Sequence, residues 1–142
     1  MKMKGLELLI RALIVVESEG NDHAIGDRHL AQPAYGPLQI RQPVCDDYNR
    51  AHGTAYRAGN LIGNRRLSIR ICRWYLNYHG RHLEQTQSRP VTTKDYVRIW
   101  NGGPNGVHKP ATLKYWRKVE RILVKERRKP CGQQRKSSYS QS

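Results

Sequence analysis

Metal-ligand spacing is the first thing this sequence does not have. Its three cysteines, Cys45, Cys72 and Cys131, form no C-x-x-C pair, and its six histidines form no H-E-x-x-H pattern. No metal and no cofactor is therefore expected. Two buried thiols and one exposed thiol are expected in preference to a Cys45–Cys72 disulfide. The Gly102-Gly103 pair lacks the Lys-Ser/Thr ending of a phosphate-cradling loop. No strand-length alternation and no internal repeat occur. The longest apolar run, residues 6–16, is too short to span a membrane and contains Glu7 and Arg11. No small-residue cleavage site follows it, so it is read as a helix and not as a signal peptide.

Acidic charge is also scarce: 11 Asp and Glu stand against 26 Lys and Arg, for a net charge of +15. The imbalance is uneven. Residues 1–40 hold four bases (Lys2, Lys4, Arg11, Arg28) and five acids (Glu7, Glu17, Glu19, Asp22, Asp27), a net of −1, so the other 102 residues carry +16. Such a field attracts polyanions, whether nucleic acid, an anionic membrane surface or a bacterial wall. The acid-rich first segment argues against a nucleic-acid groove, and no helix-turn-helix or zinc pattern supports one. Apolar residues make up only 37% of the chain, which leaves part of it outside a packed core. Residues 127–142 (R-R-K-P-C-G-Q-Q-R-K-S-S-Y-S-Q-S) show no apolar periodicity and are expected to form a disordered basic tail. Residues 1–126 suit one domain.

Helical spacing, in contrast, runs through that domain. Leu6, Leu9, Ile10, Leu13, Ile14 and Val16 recur every three to four residues and predict a helix over 4–18, apolar almost all round and therefore central and buried. Gly20, Asn21 and Asp22 stop it, and residues 20–35 read as a loop. Further helices are predicted over 37–52, with Pro37 in the first turn and Pro43 as a break; over 64–79, capped by Gly80; from Thr92 or Thr93 to Trp100; and over 110–126. The fold class is all-α.

Three polar turns sit beside bulky apolar residues: E-S-E-G-N at 17–21, Y-G-P-L-Q-I at 35–40 and I-W-N-G-G-P at 99–104. Amide side chains between aromatic and apolar walls suit a sugar cleft. Glu17 ends the most apolar helix, where desolvation lifts a carboxyl pKa towards the range of a general acid. Asp22 and Asp27 are near enough in sequence to act as a second acid, although both are placed as turn formers beside glycines. Tyr35, Gln39, Trp100 and Asn101 are the candidate substrate contacts.

In their order and separation these three turns resemble the motifs of the lytic transglycosylase and goose-type lysozyme group of the lysozyme-like superfamily, over residues 6–123. The resemblance implies a small lysozyme-like helical domain built around the N-terminal helix. It implies peptidoglycan glycan strands as substrate, cut at the β-1,4 link from N-acetylmuramic acid to N-acetylglucosamine, with Glu17 as general acid. Trp100 stands where the group has Tyr, which leaves Tyr35 to supply a hydroxyl. With no second acid compellingly placed, the expected enzyme is a transglycosylase: ionised Glu17 takes the proton of the muramoyl 6-hydroxyl and a 1,6-anhydro ring closes. The alternative is hydrolysis, a lysozyme with Asp22 or Asp27 assisting. A reading of another class is a non-enzymatic binder of wall polymers or nucleic acid through the basic surface. A monomer of phage or bacterial origin is expected, acting on the wall from a virion or after lysis.

Overall fold

The computed structural model describes residues 3–128. Among them are five α-helices: α1 (Met3–Ser18), α2 (Gln42–His52), α3 (Arg65–Gln87), α4 (Thr93–Gly102) and α5 (Ala111–Arg128). Two short strands, β1 (Ile25–Gly26) and β2 (Ala34–Tyr35), pair antiparallel inside the first loop, and 3-10 turns occur at Ala58–Leu61 and Gly106–His108. The class is mostly helical, as the sequence implied. Strands of two residues are below the length at which alternation can be read.

α1 sits at the centre because its apolar stripe is wide. Leu6, Leu9, Ile10, Ala12, Leu13 and Ile14 are all buried, and each fully buried leucine or isoleucine contributes about 1.5–3 kcal/mol. The helix is nonetheless not enclosed: Glu7, Arg11 and Val15, four residues apart, form a stripe that faces solvent. α3 and α5 pack on α1, α4 packs on α3 and α5, and α2 packs on α3. Ile71 and Leu76 from α3, Val97 and Ile99 from α4 and Val119 from α5 complete the core.

Two helix boundaries differ from expectation, each for a local reason. The helix expected from residue 37 begins at Gln42. Tyr35 and Ile40 exchange backbone hydrogen bonds of 3.0 Å in both directions, and Gln39 takes a φ of +51°, so residues 36–39 form a closed turn. Gly36 is required there, with φ +78° and a hypothetical Cβ only 2.5 Å from the Leu61 carbonyl oxygen. Pro43 then falls in the first turn of α2, where its missing N–H costs nothing, instead of breaking the helix. The second difference is Gly80, which does not end α3. A Cβ at Gly80 would lie 2.7 Å from a ring carbon of Tyr96, so this glycine permits close α3–α4 approach and the helix continues to Gln87.

Ser88 ends α3 in the left-handed conformation, and Thr92 opens α4 with a reciprocal cap. Asp95 N donates to Thr92 Oγ1 at 3.2 Å, and Thr92 N donates to Asp95 Oδ2 at 2.9 Å. Burial pushes the Asp95 carboxyl up, but the hydrogen bonds from Arg89 (2.6 and 3.0 Å) and Thr92 outweigh it and hold the carboxyl below the usual range. α5 carries residues 127 and 128 on beyond the predicted end of the domain. The rest of the expected tail, with Cys131, lies outside the described residues. Cys45 and Cys72 are buried and unbridged.

Candidate active site

A cleft of about 350 Å³ opens where the end of α1, the β1–β2 loop, the start of α2, the middle of α3 and the end of α4 meet. Glu17 and Asp27 both line it. Trp100, Asn101 and Gln39 line it as well, so four of the five candidates drawn from the three motifs converge on one cavity. Val16, Ala34, Ile40, Pro43 and Val44 supply apolar wall. Trp100 is set edge-on to Tyr75, with ring centroids 5.6 Å apart and planes at 84°.

The end of α1 is stitched to the neighbouring turn. Ser18 Oγ donates to the Pro37 carbonyl at 2.8 Å and to the Ile14 carbonyl at 3.2 Å, which fixes the helix terminus that carries Glu17. The Glu17 carboxyl is largely buried. Burial lifts its pKa above the ordinary carboxyl value; a hydrogen bond from Tyr115 and the charge of Arg41 pull it down, Asp27 pushes it up, and Lys118 pulls it down less, with a net rise. Tyr115, on α5, donates to Glu17 Oε1 at 2.7 Å across 98 residues of sequence. Burial and the neighbouring carboxyl push the Tyr115 phenol well up, so it keeps its proton and remains a donor.

Asp27 sits on the opposite terms. Its side chain is 45% exposed and is paired with the Arg41 guanidinium, whose Nη1 also donates to the Gln32 carbonyl at 2.6 Å. Arg41 thereby clamps the loop after β1 to the entrance of α2. One carboxyl is desolvated and the other is hydrated beside a cation.

The remaining candidates are placed differently. Asp22 accepts from Arg65 Nε at 2.6 Å while Arg65 Nη2 donates to the Gly20 carbonyl at 2.7 Å, an arrangement that ties the loop to the start of α3. Asp22 is not among the cleft-lining residues. Nor is Tyr35, which is held in the β1–β2 pair and packs against the core. Gln39 spends its amide N–H groups on the carbonyls of Gly36 (2.9 Å) and Ala24 (3.3 Å), so it braces the loop from inside the cleft. Tyr115 and Arg41 are not marked in the sequence. Nothing local marks Tyr115, since only the tertiary fold brings it to Glu17. Among the described residues no group of three or more His, Cys, Asp or Glu side chains is gathered as a metal would need. Nor is any helix among them long and apolar enough to cross a membrane.

No family model matches the chain. An invertebrate-type lysozyme of Ruditapes philippinarum is 30% identical over 87 residues, covering 61% of this chain and 59% of that protein. A lysozyme of Magallana gigas is 50% identical over 85 residues, covering 59% of this chain and 56% of that protein. The match thus spans under three-fifths of the length of these relatives. Among solved structures, Tapes japonica lysozyme aligns with a TM-score of 0.66 and 23% identity over 82% of this chain and 89% of that one. A chain from the complex of Aeromonas hydrophila PliI with Meretrix lusoria lysozyme aligns with a TM-score of 0.62 and 19% identity over 82% and 88%. These relatives are lysozymes, which overturns the expectation of a lytic transglycosylase. That expectation rested on the want of a well-placed second acid, and Asp27 shares the cleft with Glu17. The narrower likeness to the goose-type group has no counterpart among these matches. What the structural alignments and the helical architecture establish together is that this chain has a lysozyme-like fold.

Proposed function

We propose that the chain is a hydrolytic muramidase that cleaves the β-1,4 bond between N-acetylmuramic acid and N-acetylglucosamine in peptidoglycan. The observation that carries this reading is the largely buried Glu17 carboxyl, raised in pKa and held by Tyr115, in a cleft that it shares with the hydrated Asp27. The relatives named as lysozymes support it.

In this mechanism protonated Glu17 gives its proton to the glycosidic oxygen as the C1–O bond breaks, so the leaving sugar departs as an alcohol. Positive charge grows on the ring left behind. Asp27 assists as the carboxylate that balances it, and water supplies the hydroxyl that ends at C1. The water's proton returns the cleft carboxyls to their starting state. Tyr115 orients Glu17 through Oε1 and supplies the hydroxyl that the sequence suggested for Tyr35. Trp100, backed by the buried Tyr75, offers its ring to the sugars, and Asn101, exposed at the end of α4, offers an amide. The excess of Lys and Arg draws the protein to anionic wall polymers.

The test is digestion of purified sacculi followed by mass spectrometry of the released fragments. The wild type should release muropeptides with new reducing ends. Glu17→Gln should release none, and Asp27→Asn should be slower by about a hundredfold, the lower range for loss of a positioned catalytic carboxyl. Equal activity in Glu17→Gln would refute the assignment.

A further inference from the structure

An unbroken series of ring contacts leads from the cleft to the outer face of α3. Trp100 meets Tyr75 inside the cleft, Tyr75 meets His79 at 4.3 Å, and His79 meets Tyr78 at 5.0 Å. Tyr78 is 56% exposed and lies stacked on Trp74, with centroids 5.1 Å apart and planes at 25°. Trp74 is in turn held edge-on by Tyr48 (5.5 Å, 87°) and by His52 (5.4 Å, 77°). His52 is fixed as well, stacked on Tyr48 at 3.9 Å with Nδ1 at 2.8 Å from the Tyr48 carbonyl.

We propose that Tyr78, backed by Trp74, is an outer sugar platform that holds the stretch of an amino-sugar glycan strand lying beyond the cleft. Three features argue for it. The rings are immobilised by one another, so a ligand that stacks on Tyr78 costs little side-chain entropy. The same helices wall the cleft: α2 contributes Pro43 and Val44, α3 contributes Tyr75, and Tyr78 and His79 lie one turn further along α3. The cleft itself, at about 350 Å³, is at the small end for a ligand pocket, so a polymer that enters it must continue over the surrounding surface. A sugar ring suits the platform because one side chain presents an apolar face for its C–H groups and a phenol for its hydroxyls.

The inference rests on the cleft being a glycan-cleaving site, so the experiment separates the two. Wild type, Tyr78→Ser and Tyr78→Phe are assayed on insoluble sacculi and on a soluble peptidoglycan tetrasaccharide, which covers far less of the surface around the cleft than a glycan strand. Thermal unfolding of each variant is recorded alongside. The ratio of activity on sacculi to activity on the tetrasaccharide should fall about five- to tenfold in Tyr78→Ser, through the half-saturating amount of sacculi, and should return in Tyr78→Phe. Co-sedimentation with sacculi in a Glu17→Gln background should show the same fall. An unchanged ratio, or an equal loss on both substrates, would overturn the platform alone. Sacculi and tetrasaccharide both left uncut by the wild type would overturn the reading of the cleft, and the platform with it.

Discussion

Tyr115→Phe removes a single oxygen and isolates what the hydroxyl does for Glu17. In the native protein that hydroxyl donates to Glu17 Oε1 at 2.7 Å and acts to lower the carboxyl pKa against the upward push of burial. A hydrogen bond to a charged acceptor is worth about 1.5–3 kcal/mol and one to a neutral acceptor about 0.5–1.5. The bond therefore favours the ionised form by about 1–1.5 kcal/mol. In the proposed mechanism Glu17 works protonated, so its ionisation sets the alkaline limb of the rate profile. In Tyr115→Phe that limb should move to higher pH in kcat/KM, which reports the free enzyme. The maximal rate should fall at the same time, by about tenfold or more, because the carboxyl loses a fixed orientation. The assay is a pH series on a soluble peptidoglycan oligosaccharide with both proteins at equal folded fraction. A rate loss with an unmoved alkaline limb, or a limb displaced to lower pH, would refute the assignment of Tyr115 as the positioning residue.

Two further expectations concern stability. Because the folded-state pKa of Glu17 is raised above its unfolded value, its contribution is fully present below the unfolded carboxyl pKa of about 4.3 and is lost as the pH rises through the folded value. Glu17→Gln should therefore be more stable than wild type near pH 7, with the gain vanishing at about pH 3; denaturant melts at the two pH values check this, and a gain that grows in acid would contradict it. Gly106→Ala should cost about 3 kcal/mol or more, because the added Cβ would fall on the backbone carbonyl of Arg98, which cannot yield as a flexible side chain could; a shift in unfolding free energy under about 1 kcal/mol would show that the α4–α5 connection gives way more easily.

Much of the fold could be read from periodicity, because each helix has one apolar face and an identifiable end. α1 is legible from Leu6 to Val16, and the start of α4 is legible from Thr92 and Asp95, since capping is a local event. The boundaries that differed depend on partners far away in sequence. Pro37 looks like a helix start until the Tyr35–Ile40 pairing closes the turn around it. Gly80 looks like a cap until Tyr96 arrives against it from α4. The site divides the same way. Glu17, Gln39, Trp100 and Asn101 lie within motifs, and their types suit a sugar cleft. Tyr115 and Arg41 carry no local mark, and the choice between Asp22 and Asp27 turns on which of two arginines each meets: Arg65 takes Asp22 to the start of α3, while Arg41 keeps Asp27 at the cleft. The expected transglycosylase outcome rested on that choice, which the sequence alone left open.

The central claim is that water, and not the sugar's own 6-hydroxyl, completes the reaction at C1. Digesting sacculi in water enriched in oxygen-18 and weighing the released fragments tests it most directly. One oxygen-18 is expected in each newly formed reducing end, detected before exchange with solvent through prompt reduction to the alditol, with no such fragments from Glu17→Gln. Fragments ending in 1,6-anhydro sugars that carry no label would contradict it.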